Sequence, residues 1–212
     1  MNLLRALPLL GALKRDIQPS EVRAFWKHMQ AHYDTRIVDK RRAPEMTLVG
    51  EVLDLLGIQD RDRFLQHYTT TIARNIYVPF EVGVPSEHYD LWNQVVICVH
   101  EHQHVVQHDR EGISFEVSYL TDSAARARWE AEAYRCNLEL HFWRSGQMPS
   151  PRGLAELLHN YGCSAADVDV ATRALMLSAY SIRKGAVINE ASHVAIDWLD
   201  THVPRLRAKQ PN

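Results

Sequence analysis

Between His100 and His108 the chain places four histidines and one glutamate in nine positions, inside the stretch VVICVHEHQHVVQH at 95–108. Imidazole nitrogens are the commonest metal ligands among side chains, and a carboxylate beside them can take a proton from a water that a metal has acidified. Two arrangements use these letters. On a helix, His100 and His104 lie one turn apart and can hold one cation, with Glu101 on its flank, which is the H-E-x-x-H spacing of zinc hydrolysis. On a strand, His100, His102 and His104 point to one side instead.

The β-branched residues Val95, Val96, Ile97 and Val99 favour a strand. Length decides for a helix: Glu87 to Arg110 is 24 residues without Gly or Pro, far beyond the ~5–6 of a typical strand. Pro85-Ser86 reads as an N-cap, and Leu91, Val95, Val99 and Val106 recur at near-helical intervals. His102 then points away from the pair and packs locally. His108, a further turn along, is a weaker candidate, because the remaining ligand must arrive from another direction.

Chance matches to H-E-x-x-H are common, so a third ligand carries the weight. Catalytic zinc takes three protein ligands and leaves the fourth position for water. The helical segment RARWEAEAYRCNLELHFW begins 22 residues after His104 and carries Glu130 and Glu132. A reversal across 112–123 leaves room to bring it back antiparallel, and either glutamate can then complete the set. His28 and His32 also have i, i+4 spacing, but no acidic residue accompanies them and an exposed helix flank explains them better.

The remaining elements must position this pair of helices. Pro19-Ser20 opens a helix whose apolar face is Val22, Phe25, Trp26, Met29 and Tyr33, and a second runs from Met46 to Leu56 with Gly57 as its C-terminal cap. A short helix is expected at about 60–67. The segment TTTIARNIYVPFEVGVP, rich in Thr, Ile, Tyr and Val, reads as one or two edge strands and is the only convincing β segment. Beyond it come helices at 122–144, 152–161, 165–184 with a Ser164/Asp167 capping box, and 190–202 capped by Asn189. The expected class is α+β, predominantly α, with a small sheet just before the histidine helix and a helical C-terminal part.

Composition bounds the rest. The chain has 212 residues, 46% apolar and 24% charged, with a net charge of −2, which is ordinary for a soluble domain and gives no electrostatic footprint for nucleic acid. The run KRR at 40–42 reads as a solvated turn. Cys98, Cys136 and Cys163 are widely spaced without a C-x-x-C pair, so neither a disulfide framework nor a zinc knuckle is expected, and a reducing, cytoplasmic setting is. The N-terminal MNLLRALPLLGALKRD is broken by Pro8 and lacks an A-x-A site, so it reads as a packing or docking segment and not as a secretion signal. No apolar run approaches the ~18 residues of a membrane span.

Over residues 69–145 the chain resembles the HExxH zincin metallopeptidases of the gluzincin type, most of all their smallest, minimal-domain members. The strand TIARNIYVP, the helix carrying HEHQH and the following helix carrying E-A-E-A-Y bear the resemblance. It implies Zn²⁺ held by His100, His104 and Glu130, because Ala133 follows Glu130 by three as in the family's E-x-x-A-D setting, with Glu132 in reserve on another helical face. It also implies Glu101 as general base and a peptide or protein as substrate. Tyr134 stands where the family often has Asp, so the usual carboxylate partner of a zinc-bound histidine is missing or supplied elsewhere. Tyr134, Tyr180 and His193 are candidate donors to an oxyanion, although a structural role explains each more simply. On this reading residues 1–68 form a helical accessory or prodomain-like segment, offering a surface for a partner protein, and 69–212 a zincin-like catalytic domain with C-terminal helices. The alternative is a non-catalytic zincin-fold protein that binds metal for structure or interaction, with which Tyr134 at the Asp position is compatible. A sheet-based amidohydrolase or cupin-like site using His102 needs a strand at 95–104.

Overall fold

The histidine stretch is helical: residues Leu91–Glu111 form one helix in the computed structural model, which describes residues 16–55 and 68–208. The N-terminal apolar run, Gly57 and the helix expected at about 60–67 lie outside the described residues. In chain order the elements are α1 (Pro19–Tyr33), β1 (Arg36–Asp39), α2 (Pro44–Leu55), β2 (Thr70–Ile72), β3 (Asn75–Val78), α3 (Leu91–Glu111), α4 (Ser114–Thr121), α5 (Ser123–Ser145), α6 (Pro151–Glu156), α7 (Ala165–Arg183) and α8 (Glu190–His202). The described chain is therefore mostly α with one small sheet.

Burial explains why β-branched residues make a helix here. Val95, Val96, Val99 and Val105 of α3 are all buried. Each loses up to about 0.7 kcal/mol of helix propensity, whereas burying an aliphatic side chain contributes roughly 1.5–3 kcal/mol. Helices α1, α5 and α8 and the strand β2 all pack on α3. The helix starts later than Pro85-Ser86 suggests. Ser86 is used in a turn with Tyr89, and the carboxylate of Asp90 accepts from the Asn93 amide at 2.8 Å as the true N-cap. Gly112, at φ 62°, ends it.

Of the one or two expected edge strands, β2 does lie at an edge, but β3 does not. The sheet order is β1-β3-β2, so β3 is the centre; β1 pairs with it in parallel and β2 antiparallel. The strand β1 is only four residues, RIVD, paired Arg36↔Asn75 through Asp39↔Val78, and a partner so distant leaves no local periodicity to read. Residues of α1, among them Val22, Phe25, Trp26 and Met29, share one core with Val95 and Val99 of α3 and Trp198 of α8. The described residues of the 1–68 segment are thus built into the same core and sheet as the remainder. Ala131, Tyr134 and Leu138 of α5 pack with Val168, Leu175 and Ile182 of α7 in a second core.

The Ser164/Asp167 capping box opens α7 as expected. Asn189 precedes α8 but makes no side-chain cap. Its amide donates instead to the Glu132 carbonyl at 2.6 Å, tying α8 to α5. The reversal across 112–123 contains the short helix α4, whose Phe115 is buried while Ile113, Val117 and Leu120 face outward.

Candidate metal centre

α3 and α5 pack against each other, and their contact brings His100, His104 and Glu130 together, with one ligand atom from each lying within 4.8 Å of the others. Glu130 Oε2 stands 3.4 Å from His100 Nε2, and Glu130 Oε1 stands 3.6 Å from His104 Nε2. Two ligand atoms at zinc distances on a tetrahedron are about 3.3 Å apart, so the spacing suits ligands sharing one ion. All three residues are buried, at 9%, 6% and 2% exposure.

The imidazole tautomers favour the same use. His100 Nδ1 lies 3.2 Å from Asn137 Oδ1, and His104 Nδ1 lies 2.8 Å from Gln107 Oε1. Amide oxygens only accept, so each Nδ1 carries a hydrogen and each Nε2 is the atom turned towards Glu130, free to exchange its proton for a metal. Asn137 and Gln107 thus hold the outward-facing nitrogen of each imidazole. Neither was found by reading the sequence, although Gln107 is three residues after His104 and Asn137 two helical turns after Glu130.

Glu130 Oε1 accepts the Tyr119 phenol at 2.6 Å, while Oε2 is buried with no hydrogen-bond partner. Among the described residues no Lys or Arg pairs with this carboxylate; the imidazoles are its only charge partners. Burial pushes the Glu130 carboxyl up, but His104 and His100 outweigh it and bring it down to about 2. Burial pushes His100 down, and Glu130 more than reverses it, so His100 is raised. An ionised carboxylate so deep costs several kcal/mol unless a cation compensates. Two inward-facing Nε2 atoms and the Glu130 carboxylate form a donor set that can hold a metal ion.

Glu101 lines an open cleft of about 550 Å³ beside the centre, together with Tyr68, Thr69, His100, Tyr134 and Tyr161. One Glu101 oxygen accepts the Thr69 hydroxyl and the other accepts the Thr71 hydroxyl at 2.7 Å. The two threonines, read in the sequence only as strand formers, and Tyr119 are the other residues missed there. The Tyr134 ring centroid is 5.1 Å from that of His100. Burial and the Glu130 charge raise the Tyr134 phenol, so it stays protonated.

The other sequence candidates lie elsewhere. His102 is fully buried, with Nδ1 2.6 Å from the Cys98 carbonyl and Nε2 3.0 Å from Thr35 Oγ1; burial pushes it down to about 4. His108 pairs with Glu116 at 2.5 Å. Glu132 points to Arg110 at 3.1 Å and Gln103 at 2.9 Å. Tyr180 is 58% exposed with the Lys184 ammonium 4.2 Å above its ring, and His193 is exposed on α8. The rings of His28 and His32 are 6.4 Å apart on α1, against 5.0 Å for His100 and His104.

No protein-family model, curated protein or solved structure matches the chain.

Proposed function

We propose that the chain is a zinc-dependent metallopeptidase with a zincin-like catalytic region, hydrolysing a peptide bond in the cleft beside His100. The observation that carries this reading is the convergence of His100, His104 and Glu130 next to Glu101, which lines open space without belonging to the ligand set. Two imidazoles and a carboxylate are the donor set of several catalytic zinc sites. Zinc held by His100, His104 and Glu130 would supply a Lewis acid that polarises a carbonyl and lowers the pKa of a water to about 7.

The chain's own residues do the rest. Glu101 accepts the proton of the attacking water and delivers it to the departing amine, acting as base and then as acid. Each carboxylate oxygen has two lone pairs, so the threonine hydroxyls leave an acceptor site free. Tyr134, protonated and on the cleft wall, is the donor for the oxyanion. Asn137 and Gln107 keep both Nε2 atoms turned inward.

A second reading has an observation in its favour: both Glu101 oxygens are already engaged, as suits a metal-stabilised scaffold without turnover. The two part on one experiment, in which the zinc-loaded protein is incubated with a diverse peptide pool and the products are identified by mass spectrometry. Cleavage that a chelator stops and zinc restores supports the peptidase. Absence of any zinc-dependent product favours the scaffold.

A further inference from the structure

We propose that Thr69 and Thr71 are positioning residues for Glu101, so that the strand preceding the metal helix sets where the general base sits; the inference rests on the metallopeptidase reading. Successive residues of a strand face opposite sides. In keeping with that, Thr71 in β2 and Thr69 immediately before it turn towards α3 and give their hydroxyls to separate oxygens of Glu101. Thr70 turns away and accepts from Lys40 Nζ at 2.7 Å.

The strand is itself fixed. It is in register with β3 at Thr70↔Tyr77 through Ile72↔Asn75, and Lys40 Nζ also donates to the Tyr68 carbonyl at 3.0 Å. At the turn into β3, Arg74 donates to the Tyr33 carbonyl and to both oxygens of Asp109, at 2.9 and 3.0 Å. These contacts join the hairpin to the C-terminal ends of α1 and α3. A glutamate at the edge of a cleft otherwise has several rotamers, and freezing a side chain of this length costs conformational entropy. Here two hydroxyls on a clamped strand meet that cost before substrate arrives.

The roles are separable by shape. Valine keeps the volume of threonine and removes the hydroxyl; serine keeps the hydroxyl. The test compares wild type, the double variant Thr69→Val/Thr71→Val and the double variant Thr69→Ser/Thr71→Ser, each zinc-loaded. The measurements are kcat, KM, zinc stoichiometry and the denaturation midpoint. The expected result is a kcat lower by about 10- to 100-fold in the valine form, as for a reacting group displaced by about 1 Å, with KM and zinc content unchanged and kcat recovered in the serine form. A valine form with wild-type kcat, or a loss that serine does not recover, overturns the proposal.

A wild type without turnover removes the metallopeptidase reading instead. The contact is then read from midpoints, combining Thr71→Val with Glu101→Ala. Non-additive shifts support threonine holding the carboxylate, and additive ones overturn it.

Discussion

Tyr119 and Glu130 come from different helices, and the phenol of one donates to Oε1 of the other at 2.6 Å. The bond fixes the carboxylate in the orientation that keeps Oε2 facing His100. On the same helix as Tyr119, Phe115 lies against His104 with ring centroids 6.0 Å apart. Partners of this kind set metal affinity, their loss costing about 10- to 100-fold. Tyr119→Phe is therefore expected to weaken zinc binding by about tenfold or more without changing its stoichiometry, as measured by competition with a chromophoric chelator. An unchanged affinity contradicts this role.

The helical register separates the histidines by function. His100→Ala and His104→Ala are expected to abolish zinc binding, whereas His102→Ala keeps one zinc. His102→Ala instead loses stability: it empties a fully buried site and leaves Thr35 without its imidazole partner, a cost of about 2–4 kcal/mol. Elemental analysis and chemical denaturation read the two effects. Loss of zinc in His102→Ala, with retention in His100→Ala, restores the strand arrangement.

The two glutamates of α5 differ in the same way. Glu130→Ala removes a proposed ligand, and strong loss of zinc affinity is expected. Glu132→Ala removes partners for Arg110 and Gln103 at the edge of the protein, where a partly exposed pair is worth about 0–1 kcal/mol, and zinc affinity stays near wild type. Isothermal titration of both variants checks this; equal affinity of Glu130→Ala and wild type takes Glu130 out of the ligand set.

Lys40 gives the protein a pH dependence of known sign. It is 1% exposed, and burial lowers its ammonium to about 7, the Glu101 charge opposing the shift. The folded-state pKa lies below the unfolded one. From about pH 7 towards 10.5 the unfolded chain binds a proton that the folded chain does not, and this group makes the fold more stable as pH rises, by roughly 1.4 kcal/mol per pH unit at most. Below pH 7 its cost is fully present. Urea denaturation of wild type and Lys40→Met between pH 7 and 9 is expected to show a stability difference that shifts towards wild type as pH rises. A pH-independent difference contradicts it.

What could be read from the sequence follows the range of each interaction. The His100–His104 pair and the local packing of His102 depend on one helix and were legible from spacing alone. The choice of Glu130 over Glu132 came through the resemblance, and the packing of α5 on α3 places the same residue beside the imidazoles. Asn137, Tyr119, Thr69 and Thr71 act across elements, and no local pattern marks a residue whose partner lies 11 to 37 positions away. The same holds for β1, whose pairing spans Arg36 to Asn75. Asn189 shows the reverse case: a good local cap residue whose amide was drawn into a tertiary contact with α5.

In the proposed mechanism Glu101 is the proton acceptor of a metal-dependent hydrolysis and not a ligand. Glu101→Gln keeps the size of the side chain and an oxygen that accepts from threonine, but removes the basic carboxylate. General-base assistance is worth about 10²–10⁴ in rate. The decisive measurement is turnover on a peptide cleaved by wild type, taken with zinc content and thermal midpoint on the same preparations. The expected result is one zinc per chain and a near-wild-type midpoint in Glu101→Gln, with kcat reduced by about 10²-fold or more. Activity that survives in Glu101→Gln, or cleavage by wild type that a chelator does not stop, contradicts the mechanism.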